Sequence, residues 1–127
     1  MKIQLKDGLP FVATQLTYRD RQITLENVLL DTGFVGSIFP TDRIISIGLE
    51  YEADDFVYRI RGVGGEEFVF AKRLDRVALR NLEVEDFEIE IGLMDYGFRI
   101  DGILGMDFLT EVGAILNLGS LEVVGER

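Results

Sequence analysis

Asp31-Thr32-Gly33 follows three apolar residues, Val28-Leu29-Leu30, and is the point where an acid meets a turn. A carboxylate directly after an apolar run is awkward inside a strand, because burying a lone charge is costly. Either the strand ends and Asp31 faces water, or Asp31 occupies a partly buried site where its ionisation is controlled. Thr32 brings a hydroxyl that can bond to backbone. Gly33 lets a substrate or a second backbone come close. Alone, the tripeptide reads first as a plain turn.

What the chain lacks narrows the chemistry further. It has no histidine and no cysteine. Both Ser-His-Asp and Cys-His mechanisms need an imidazole, so neither is available. The usual zinc ligands are missing too; a carboxylate-only magnesium or calcium site stays open but has no loop signature, and no metal or cofactor is expected. Carboxylates, lysines and tyrosines are left to do any hydrolysis. The formal net charge of −10 argues against nucleic acid as a partner, since phosphate contacts need clustered Lys and Arg. It also repels a second copy, so any self-contact must be apolar enough to overcome that repulsion.

Two other segments could work with Asp31. Tyr58 to Phe68 reads as a hairpin whose tip, Gly62-Val63-Gly64-Gly65, sets three glycines around one aliphatic residue. It is either an ordinary surface hairpin or a flap that opens and offers backbone groups to an extended peptide. Ile103-Leu104-Gly105 runs into Met106-Asp107-Phe108-Leu109. Ordinary core packing explains it, with Gly105 where a helix lies close to a strand.

The elements that would position these pieces are mostly strands. Val12, Thr14, Leu16 and Tyr18 alternate, Arg19-Asp20 turns, and the chain returns through Ile23 and Leu25. Alternation resumes at Phe56-Tyr58-Ile60, Phe68-Phe70 and Val77-Leu79, and Arg80-Asn81 makes the next turn. From Leu82 to Ile91 the apolar phase slips by one, which predicts a bulge near Glu85-Asp86. Short helices are predicted after Pro40, with Thr41 or Asp42 capping, and from about Gly105 to Glu111. Residues 1–127 read as one domain. No apolar run is long enough to span a membrane, the N-terminus lacks a signal-peptide pattern, and a cytoplasmic location is expected.

In order and spacing the three segments resemble the retropepsin-like aspartic proteases. Asp31-Thr32-Gly33 matches that family's catalytic motif, Gly62-Val63-Gly64-Gly65 its flap tip, and Ile103-Leu104-Gly105 its apolar-apolar-Gly element beneath the catalytic loop. Leu109 to Asn117 is similar to the family's helix-to-strand exit. The resemblance implies a small closed β-barrel with one or two short helices. It also implies an endopeptidase for peptide or protein substrates, in which Asp31 is catalytic and Thr32 and Gly33 support its loop. Gly62, Val63, Gly64, Gly65 and Phe34 would contact substrate, with Val35, Ile60, Val63 and Ile103 suited to apolar pockets. One motif per chain implies a homodimer, and Asp101-Gly102, the nearest imitation of a second motif, reads as a turn. The alternative is a peptide-binding domain of the same fold that cuts poorly or not at all.

Two departures from the family pattern bear on this. Phe34 stands where many relatives have Ala or Ser, which implies a narrow or reshaped pocket. Val35 and Asp107 replace an acid–Arg pair found in viral members, so that ion pair is missing.

Overall fold

The computed structural model describes residues 1–62, 65–94 and 99–126, and residues 60–62 and 65–67 by backbone alone. Most of the chain is strand. After the short β1 (Gln4–Lys6), the hairpin of β2 (Leu9–Tyr18) and β3 (Arg21–Leu30) forms as expected. Arg19 (φ 49°) and Asp20 (φ 66°) are both left-handed. A two-residue hairpin turn needs that geometry to match the strand twist. Next come β4 (Ile38–Pro40), α1 (Thr41–Ile44) and a 3₁₀ turn at Ile45–Ile47. β5 (Val57–Gly62), β6 (Gly65–Leu79) and β7 (Leu82–Gly92) form a meander. The chain ends with β8 (Gly102–Leu104), α2 (Met106–Glu111), β9 (Ala114–Asn117) and β10 (Glu122–Gly125).

The main sheet runs β1-β2-β3-β8-β4-β7-β6-β5, and β2 also pairs with β6. β9 and β10 form a separate two-stranded sheet. The inward faces carry Leu16, Phe39, Leu74, Ile89 and Leu104, and Phe108 of α2 packs among them, all essentially inaccessible. Full burial of such a side chain stabilises the fold by about 1.5–3 kcal/mol. A smaller cluster of Phe11, Leu29, Ile38, Val69, Ile100 and Ile103 lies apart from this core.

Four expectations need correction. β6 and β7 hold one register from Phe70↔Ile91 to Leu79↔Leu82, so no residue is inserted near Glu85-Asp86. Both strands change face together instead, between Leu74 and Val77 on β6 and between Val84 and Phe87 on β7, with Asp86 left-handed at φ 52°. The register shift falls in the first hairpin, between Val12 and Thr14. There the buried positions of β3 pass from Leu25 to Val28.

Asp101-Gly102 is not a turn. Gly102 begins β8, where a Cβ would lie 2.3 Å from the Phe39 ring. Asp101 is 2% exposed. It accepts the Asn27 N–H at 3.1 Å and faces Arg43 and Arg99, each at 3.2 Å. The helix after Pro40 forms, but no side chain caps it; the Thr41 hydroxyl donates to the Gly92 carbonyl at 3.4 Å. On β6 the residue turned inward is Val69, whereas Phe68 is largely exposed.

Candidate active site

β8 determines where Asp31 sits. It pairs in parallel with β3 through Val28↔Gly102, Leu29↔Ile103 and Leu30↔Leu104, and antiparallel with β4 through Ile38↔Ile103. The strand entering the acidic turn and the strand leaving it are thus held by one strand between them. The Asp31 N–H extends the β3–β8 ladder by donating to the Leu104 carbonyl at 3.0 Å. The chain then turns, with the Phe34 N–H donating to the Asp31 carbonyl at 3.3 Å. The Gly33 N–H donates to Asp31 Oδ1 at 2.9 Å, which orients the carboxylate. Oδ2 has no hydrogen-bond partner among the described residues. Asp31 is half-buried, and Thr32 and Gly33 are exposed. β3 ends at Leu30, so Asp31 stands just past the strand end, half-buried.

Beneath the turn the backbones touch. A Cβ at Gly105 would lie 1.9 Å from the Gly36 carbonyl oxygen and 2.5 Å from that of Phe34. Only glycine fits that crossing. The Met106 N–H donates to the Phe34 carbonyl at 2.8 Å and the Asp107 N–H to the Val35 carbonyl at 3.0 Å. Ser37, 1% exposed, joins both sides. Its hydroxyl accepts the Gly105 N–H at 3.1 Å and donates to Asp107 Oδ1 at 2.8 Å. The sequence reading missed Ser37, and Asp107 was noted only as the wrong half of an ion pair. A neutral hydroxyl bridge holds the loop on α2 instead.

Phe34 packs against the smaller apolar cluster. Ile103 belongs to that cluster at 4% exposure, while Val35 is 85% exposed. Val69, on the strand that rises into the proposed flap, packs in the same cluster and links that hairpin to the acidic turn. Gly62 and Gly65 pair to close the β5–β6 hairpin. Val63 and Gly64, the rest of the expected tip, lie outside the described residues, as does the side chain of Ile60.

Behind the loop, Glu90 Oε1 would be 3.2 Å from a Cβ at Gly36. Burial, then the nearby Asp107 and Glu88 carboxylates, push the Glu90 pKa up. A raised carboxyl pKa in the fold stabilises at pH below the unfolded value, and that contribution is lost as pH rises through the folded one. Glu90→Gln is therefore expected to raise Tm near neutral pH, with the gain fading below about pH 4, where both forms are neutral. Thermal melts across that range check it.

Beside Thr32 an open groove of about 420 Å³ runs along Met106, Leu109, Thr110 and the β9 residues Ala114, Ile115 and Leu116. The site is thus a single oriented carboxylate on a glycine turn, in a mostly β protein, packed on an apolar-apolar-Gly strand. The profile of a family described as aspartyl protease matches residues 14–108. The chain belongs to that family, in its retropepsin-like branch. No protein of curated function matches it.

Proposed function

We propose that this protein is an aspartic endopeptidase whose working form is a homodimer, with one Asp31 from each copy flanking the attacking water. The carrying observation is the Asp31 turn itself: gripped on both sides by β8, oriented by Gly33 and floored by Gly105. Asp101 is no second catalytic acid, because Arg43, Arg99 and Asn27 already engage it. The twin acid therefore has to come from a second chain. Two carboxylates in contact cannot both ionise, so they share a proton and titrate as a pair. The ionised member takes a proton from water while the neutral one donates to the scissile carbonyl oxygen. Activity peaks below neutral pH, and apolar side chains are preferred on both sides of the cut.

The pairing of β2 with β6 supports a closed barrel spanning residues 1–127 as one domain. The groove beside Thr32 supports the second copy. β9 pairs only with β10 among the described residues, and the other side of β10 is taken by the Met1–Ile3 segment. That leaves β9 as an edge strand open to pairing. Ile115 is 46% exposed, Met106 39% and Leu118 65%, an apolar surface able to offset the repulsion between two chains of charge −10. No helix among the described residues is long and apolar enough to cross a membrane, and we place the enzyme in the cytoplasm.

A charge in that surface tests the reading. Ile115→Lys is expected to shift the sedimentation profile from dimer to monomer and to remove cleavage of apolar extended peptides, with the melting temperature little changed. A variant that sediments as wild type, or that cuts as a monomer, overturns it. Peptide binding without cleavage in the intact dimer would favour a binding domain of the same fold.

A further inference from the structure

Lys72 lies in the middle of β6, yet it is 7% exposed. A buried ammonium is costly unless it is paired, and an apolar residue would serve the strand at least as well. Its Nζ lies 2.6 Å from Glu52 Oε1 and 2.9 Å from Asp55 Oδ2. Both acids sit in the irregular segment leading into β5. Asp55 also organises that segment, accepting the Glu52 N–H at 2.7 Å while its own N–H donates to the Glu52 carbonyl at 2.9 Å. The Ala71 N–H completes the attachment by donating to the Phe56 carbonyl at 3.0 Å.

The position of this cluster gives it a consequence. β5 is the last strand of its sheet, and among the described residues it pairs only with β6. An edge strand with one neighbour is free to peel away unless its root is fixed. Lys72 fixes that root from the very strand that β5 must leave. We propose that Lys72, through Glu52 and Asp55, is a positioning residue that anchors the base of the β5–β6 hairpin. This rests on the protease reading above only for its effect on substrate. The anchor itself is a property of the free protein. Burial pushes the Asp55 pKa up, but the Glu52 N–H and the Lys72 ammonium outweigh it and hold it below the usual value. The Asp55–Lys72 pair therefore persists in mild acid.

The test uses the full chain with Lys72→Met, which keeps the apolar stem. A second variant, Asp55→Asn, keeps an acceptor for the Glu52 N–H and removes only charge. Amide hydrogen exchange is expected to quicken about tenfold or more across β5 in both variants, with β2 and β3 unchanged. For an apolar peptide substrate, KM rises several-fold while kcat stays within about twofold, as expected when a substrate-binding element is loosened. Unchanged exchange in β5, or equal acceleration in every strand, overturns the anchor. If β5 responds as stated but the wild type cuts no peptide, the anchor stands and the protease reading fails.

Discussion

Asp31→Asn is expected to lower kcat for peptide cleavage by at least about 10³-fold, since it removes both the general base and the shared proton. Its effect on the fold should be small. Asparagine is nearly the same size and keeps an acceptor for the Gly33 N–H, the one hydrogen bond made by the Asp31 side chain among the described residues. The melting temperature should stay near that of the wild type and the dimer should persist. Turnover with a fluorogenic peptide, measured beside a thermal melt, checks both halves. A folded Asp31→Asn protein with most of its activity would remove Asp31 from the chemistry.

Gly105→Ala is expected to do the reverse, damaging the fold first. The added methyl would meet two backbone carbonyls, of Gly36 at 1.9 Å and of Phe34 at 2.5 Å. Unlike a flexible side chain, these cannot swing aside. The loop would have to lift off α2, weakening the bonds from Met106 and Asp107 and the one between Gly105 and Ser37. Overpacking that moves backbone and strains buried hydrogen bonds costs about 3 kcal/mol or more. A urea denaturation midpoint reads the loss directly. A cost below about 1 kcal/mol would mean that the crossing under the turn is looser than the geometry requires.

Local features were legible in the sequence because local chemistry dictates them. The Arg19-Asp20 turn, the glycine-closed hairpin and α2 each follow from a few adjacent residues. Residues whose role depends on distant partners were harder to read. Asp101 resembles a turn residue because Asp-Gly usually is one, and only the fold brings Arg43 and Asn27 to it. Ser37 is an unremarkable hydroxyl until β8 carries Gly105 and Asp107 past it.

The misplaced bulge has a different cause. A phase slip was read on β7 alone, but β6 slips at the same level, so the register is kept and only the Asp75–Asp86 pair drops out of the ladder. The real shift had a comparable signal, odd-numbered Ile23 and Leu25 giving way to even-numbered Val28 and Leu30 on β3. Aromatic residues misled in the same way at Phe68, since the smaller Val69 is the one that fits beneath the hairpin.

In the proposed mechanism the acidic turn is half of a catalytic centre, and a second copy supplies the other half by symmetry. Mixing wild-type and Asp31→Asn chains, allowing subunits to exchange, and measuring total peptidase activity tests this most directly. With equal amounts, only wild-type pairs cut, and activity falls to about a quarter of that of the same total amount of wild type. Activity of about one half, linear in the wild-type fraction, would mean that each chain works alone and would contradict the shared site.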